Sequence, residues 1–274
     1  TMTSDLETDV AVSARAGFKA LEVWAAKLDR YLASHTLIEL NALFVDHDIQ
    51  PITLNSIEFI AFRGQEYPLI QDRLRYLAKV AVAIHCPTII VVPSPSPNRE
   101  IPWTAVVEEY VRVLRNLGDI AGEFNLKLAF EFLGFGWCSV RTPRAAMEIL
   151  RKVDRENIGL TLDAAHFYTG GGLMNELDRL DPNRIFTFHL DDLEDAPREA
   201  ITDEARLLPG RGVVPLPEIC GRLKSIGYDG PCSIELFRPE YWDWDPQSLA
   251  HAARDAALEV LRGDARWKPL VPEE

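Results

Sequence analysis

Short runs rich in β-branched and aromatic residues alternate with segments of 3.6-residue periodicity along nearly the whole chain, and no other feature restricts the fold as strongly. Seven such runs stand at 20–24 (ALEVW), 50–57 (QPITLNSI), 88–93 (TIIVVP), 127–133 (KLAFEFL), 158–163 (IGLTLD), 184–190 (RIFTFHL) and 231–237 (PCSIELF). Helical spacing predicts helices over 5–16, 37–47, 70–84, 104–124, 143–153, 173–180, 216–226 and 246–262. Strand following helix in this way is the pattern of a parallel sheet. Gly17 and Gly227 fall where a helix closes before the next strand, a position that suits a left-handed residue. Apolar strands covered by helices fit a doubly wound sheet or a closed (β/α)8 TIM barrel, and the absence of a G-x-G-x-x-G after any strand weighs against the dinucleotide-binding version of the former. Residues 1–4 are too few to supply a strand before the first helix. The expectation is therefore a TIM barrel whose first strand is absent from this chain, or a barrel of seven strands. A single domain is expected over 1–263, with a tail over 264–274 and a stiff PSPSPN loop at 93–98.

Composition narrows the function. With 274 residues and 47% hydrophobic residues, one large core is available. A net charge of −13, with no Lys/Arg-rich run, repels phosphate backbones and argues against nucleic acid as a partner. The apolar runs are far shorter than the roughly 20 residues that cross a bilayer, and the amino-terminal residues show no leader pattern. Cys86, Cys138, Cys220 and Cys232 are scattered without C-x-x-C spacing, so the expected compartment is the reducing cytoplasm.

The chemistry sits where sheet packing should exclude charge. Glu131 lies inside LAFEFLG, Asp163 ends IGLTLD, His189 nears the end of IFTFHL and Glu235 lies inside CSIELF. A carboxylate in an apolar barrel interior is strongly disfavoured unless paired, hydrogen-bonded, protonated or bound to metal. Any one of the four taken alone fits a salt bridge or a solvated rim. Four near the carboxyl ends of successive strands are explained together by one divalent cation at the barrel mouth, and three carboxylates with one imidazole suit Mn, Zn, Mg or Co.

His166, three residues after Asp163, can point into the same mouth as a hydrogen-bond donor or proton shuttle, or can simply begin a helix. His35, His47, His85 and His251 have no acidic partner at metal spacing and suit capping or surface roles. Trp24, ending ALEVW, can stack on a sugar face or pack in the core. Gly170, Gly171 and Gly172 lack the Lys-Ser/Thr of a phosphate loop and suit a plain βα connection. No G-x-S-x-G nucleophile motif is present.

These residues carry a resemblance. The segments LAFEFLG, GLTLDAAHF, FHLDDLED, TDEARLLPGRG and SIELFRPEYW resemble the xylose-isomerase-like TIM-barrel superfamily of sugar isomerases and epimerases, and within it the inosose isomerases of myo-inositol catabolism. The resemblance spans essentially the whole chain, apart from the missing first strand. It implies that Glu131, Asp163, His189 and Glu235 hold the metal, that His166 faces the substrate, and that Arg206 in DEARLLPG is a polar contact to it. The expected activity is a metal-dependent isomerase that moves a carbonyl through an enediolate on a cyclic polyol ketone or related ketose, with Glu131 or Glu235 as general base and His166 aiding proton movement. The rival is a dehydratase acting on inosose or a shikimate-type substrate at the same site. An apurinic-site endonuclease needs more histidines than the chain places, and a non-enzymatic sugar-binding module is the remaining alternative. A homo-oligomer is left open.

Overall fold

The computed structural model describes residues 2–97 and 100–263; the expected tail over 264–274 and the end of the 93–98 loop lie outside the described residues. Strands β1 (Ala20–Trp24), β2 (Gln50–Ile57), β3 (Thr88–Val91), β4 (Lys127–Glu131), β5 (Ile158–Asp163), β6 (Ile185–His189) and β9 (Cys232–Ser233) form one parallel sheet in that order. Two further short strands, β7 (Asp192–Leu193) and β8 (Arg206–Leu207), pair antiparallel on their own. The helices are α1 (Leu6–Ala16), α2 (Ala25–Leu32), α3 (Leu37–Asp46), α4 (Tyr67–Ala83), α5 (Trp103–Gly122), α6 (Pro143–Val153), α7 (Ala164–Thr169), α8 (Met174–Leu177), α9 (Leu216–Ser225) and α10 (Pro246–Arg262).

Several helices begin where the sequence supplies a side-chain partner for the free N–H groups of the first turn. Asp5 caps α1, Thr142 caps α6 and Asp245 caps α10, while Thr36 and Glu39 form a reciprocal pair at the start of α3. Gly17 closes α1 in the left-handed conformation at φ 89°, as its position predicts. The predicted strands and longer helices are present, mostly with ends shifted by one to three residues. The run over 231–237 differs more: only Cys232–Ser233 is laddered, through Phe188 and His189. Two helices absent from the sequence expectation, α2 and α7, start directly at the ends of β1 and β5.

Alternation along the strands separates a helix-facing core from a barrel interior. Leu128, Phe130, Leu160, Leu162, Ile185 and Phe188 join the large core beneath the helices. Ile90 and Ala129 belong to a second, interior cluster against which Phe186 packs. The register shifts between β5 and β6, with Leu160 opposite Ile185 but Thr161 opposite Thr187, so Phe186 is an extra residue. This bulge reverses the parity of β6, and His189 therefore shares the interior face with Asp163, its direct partner.

The sheet has no backbone ladder between β9 and β1, and no strand precedes α1 among the described residues. It curls nonetheless: Glu22 of β1 reaches His189 of β6, Asn55 of β2 reaches Glu235, and α1 lies against α10 on the outside. The architecture is a nearly closed parallel barrel of seven strands ringed by helices. Among the described residues, no helix is long and apolar enough to cross a membrane.

Candidate metal centre

Four of the predicted residues meet at the carboxyl ends of the strands. Glu131, Asp163 and His189 are the last residues of β4, β5 and β6, and Glu235 follows β9 by two residues. Each offers one ligand atom, and these atoms lie within 4.8 Å of one another. His189 Nδ1 is 3.2 Å from Glu131 Oε1, 3.4 Å from Asp163 Oδ2 and 3.5 Å from Glu235 Oε2. His189 and Asp163 are fully buried, Glu131 nearly so, and Glu235 faces the mouth.

The set fits a divalent cation on two counts. His189 Nδ1 and Glu131 Oε1 are buried, approach each other without hydrogen-bonding geometry, and have no hydrogen-bond partner among the described residues. Such groups are normally satisfied, and a shared cation satisfies both. In addition, Glu22, Glu131, Asp163, Asp191 and Glu235 crowd around one guanidinium and one imidazole. Three oxygens and one imidazole nitrogen are a donor set for Zn, Mn, Mg or Co.

Arg206 is the counter-charge. The antiparallel β7 and β8 fold the segment after β6 back over the mouth and deliver Arg206, whose surface is 1% exposed. Its Nη1 donates to Asp163 Oδ2 at 2.8 Å, touches Asp191 and lies 3.3 Å from Glu235, while Nε donates to Asp203 at 3.1 Å. Asp192 ties the returning loop down by accepting the backbone N–H groups of Gly212 and Val214. Burial disfavours charge on Asp163 and Glu235, but Arg206 overrides it: both carboxyls are held well below the usual range, Glu235 at about 2. Glu131 lacks that partner, and burial pushes its carboxyl up to about 7 against the pull of His189. Burial also opposes charge on His189, yet Glu22, Glu235 and Glu131 raise its pKa well above 6.5.

His166 occupies the first turn of α7, where its backbone N–H donates to Asp163 Oδ1 at 2.6 Å. One carboxylate thus caps a helix and contributes to the centre. The His166 ring is buried, edge-on to Phe135 at 4.9 Å, and its Nε2 accepts from Arg206 Nη2 at 3.2 Å. Burial pulls its pKa down to about 4, so the ring is neutral near pH 7. Trp24 lies two residues beyond Glu22, half-buried, with the Arg30 guanidinium 5.8 Å from its ring centroid.

Several residues that the sequence expectation leaves out join the site. Glu22 accepts from His189 Nε2 at 3.1 Å, and its position inside ALEVW repeats the signal that marks Glu131 inside LAFEFLG. Asn55 donates to both Glu22 and Glu235. Asp191 accepts from the Ala165 N–H and meets Arg206. Two glycines of the triplet serve packing: a Cβ on Gly170 would stand 2.1 Å from the Arg141 carbonyl oxygen, and one on Gly172 2.5 Å from the Phe167 ring.

The chain matches the family described as xylose isomerase-like TIM barrel over residues 10–262. It is 35% identical over 260 residues to an inosose isomerase of Halalkalibacterium halodurans, covering 94% of this chain and 92% of that protein. An inosose isomerase of Bacillus velezensis is 32% identical over 260 residues, with 94% and 92% covered. The crystal structure of the IolI protein with a bound zinc atom superposes with a TM-score of 0.92 at 32% identity, covering 95% of this chain and 94% of that one. The barrel, the strand-end acids and a match across nearly the whole sequence agree, and the chain belongs to the xylose isomerase-like TIM barrel family.

Proposed function

We propose that this protein is a divalent-metal-dependent inosose isomerase, which shifts the carbonyl of a cyclic polyol ketone to a neighbouring carbon by proton transfer. The observation that carries this reading is the convergence of Glu131, Asp163, His189 and Glu235 on atoms within 4.8 Å of one another at the barrel mouth. The match to inosose isomerases over 94% of the chain supplies the substrate class. A cation held by these residues supplies a Lewis acid beside a carbonyl, which eases loss of the neighbouring C–H proton.

The protein's own residues handle the protons. Glu131 and Glu235 both lie beside His189 at the mouth, a pair of carboxylates suited to moving a proton between adjacent carbons. His166, neutral and fixed at Nε2 by Arg206, is left with Nδ1 to serve a substrate hydroxyl. We assign Arg206 to keeping Asp163 and Glu235 ionised, because its Nη1 and Nε already serve carboxylates and its Nη2 serves His166. Trp24, at the rim, is assigned to the apolar face of the ring. The four cysteines are free, which suits a reducing compartment, and we place the enzyme in the cytoplasm.

Incubation with inosose in D2O tests the reading. Isomerisation gives an isomeric ketone carrying solvent deuterium. Loss of water with a conjugated chromophore would instead make the protein a dehydratase, and binding without turnover would make it a sugar-binding module.

A further inference from the structure

Strands β1 and β2 carry none of the four candidate ligands, yet their side chains reach two of them. Glu22 Oε2 accepts from His189 Nε2 at 3.1 Å and from Thr53 Oγ1 at 2.5 Å, and Glu22 Oε1 accepts from Asn55 Nδ2 at 2.9 Å. The same Asn55 nitrogen donates to Glu235 Oε1 at 2.8 Å. An amide bridging two carboxylates must present its NH2 group to both, which fixes the orientation of Asn55. The register shift between β1 and β2 sets Glu22 directly beside Thr53 and so makes the cluster possible.

These contacts sit where the backbone gives least support. His189 ends β6, Glu235 lies beyond the last paired residue of β9, and no ladder joins β9 to β1. A neutral imidazole that donates from Nε2 carries its lone pair on Nδ1. Nδ1 is the atom that faces Glu131, Asp163 and Glu235 and has no hydrogen-bond partner among the described residues. Glu22, on the opposite side of the ring, acts through His189 and is not itself one of the converging group.

We propose that Glu22 and Asn55 are positioning residues of the metal centre: Glu22 holds His189 in the tautomer that offers Nδ1, and Asn55 turns Glu235 so that its Oε2 faces the same point. Side chains thereby brace the seam that the backbone leaves open. The inference rests on the metal reading above, and its test separates the two.

Protein stripped with a chelator is titrated with Zn2+ against a competing chromophoric chelator. Glu22→Gln cannot satisfy Thr53, Asn55 and His189 together, because one carboxylate oxygen becomes a donor; it should weaken zinc binding by about 10- to 100-fold, as loss of a partner to a metal-bound histidine typically does. The metal-free variant should keep the far-UV spectrum of the parent. Asn55→Ala should weaken zinc binding as well. In zinc-loaded wild-type protein with 15N-labelled histidine, NMR should show His189 bound through Nδ1 and protonated at Nε2, a readout that needs no variant to fold. Zinc affinity in Glu22→Gln within about twofold of the parent, or coordination of His189 through Nε2, would overturn the inference while leaving the metal reading intact. Wild-type protein that takes up no zinc would overturn both.

Discussion

At the scale of single residues, the site depends on one guanidinium. Arg206 lets Asp163 and Glu235 stay ionised in a buried volume and meets Asp191 beside them. Arg206→Met leaves those charges without a partner and should destabilise the protein by about 3–5 kcal/mol, measured by denaturant unfolding. Glu235→Gln keeps the shape but removes a charge and, in the mechanism proposed above, a proton carrier, so kcat should fall by about 10²- to 10⁴-fold. His166 gives a pH signature. Its folded pKa of about 4 lies below the ordinary 6.5, so the unfolded chain binds the extra proton first and this residue's contribution to stability falls as pH drops from 6.5 towards 4. Between pH 7 and pH 5 the loss should be about 2 kcal/mol larger in the parent than in His166→Asn. The residues that meet at the mouth were legible because a charged residue ending an apolar run has few alternatives, as at Asp163. Glu22 inside ALEVW obeys the same rule. Asn55 and Asp191 do not: a neutral amide in QPITLNSI and an acid just past a strand look ordinary until the fold brings them to Glu235 and Arg206.

At the scale of elements, hydrophobic runs reveal strands but not their parity. Alternation counted from Ile185 would aim His189 at the helices, and the bulge at Phe186 turns it inward. Gly159 makes room for that bulge. A Cβ there would stand 2.5 Å from the Arg184 carbonyl oxygen and 2.7 Å from the Phe186 ring. Gly159→Ala should therefore cost about 1–3 kcal/mol by denaturant unfolding, as overpacking of a filled interior does, and should lower zinc affinity although residue 159 touches no ligand. The hairpin of β7 and β8 was hidden for a related reason: two-residue strands have no periodicity to read, and what specifies them is the tertiary anchoring of Asp192 and Arg206. Helix α2 follows β1 without a connecting residue, so no turn signal separates the two.

For the whole molecule, the strand and helix order was written in the alternation of the chain, whereas closure was not. The curl of the sheet brings Glu22 to His189 and Asn55 to Glu235 by side chains from distant parts of the sequence. A centre assembled from β4, β5, β6 and the segment after β9 ties cation binding to folding. Free cation at 100 times its Kd should raise stability by about 2.7 kcal/mol over the chelated protein. Binding near pH 7 should also release protons, because Glu131 and His189 must give up theirs; calorimetry in buffers of different ionisation enthalpy counts them. The most direct test of the account is elemental analysis of purified wild-type protein beside an Asp163→Asn/Glu235→Gln double variant. One divalent ion per chain is expected in the first, and loss of that ion, together with inosose turnover, in the second. A wild-type enzyme that is active without any ion, or a double variant that retains its full complement, would contradict it.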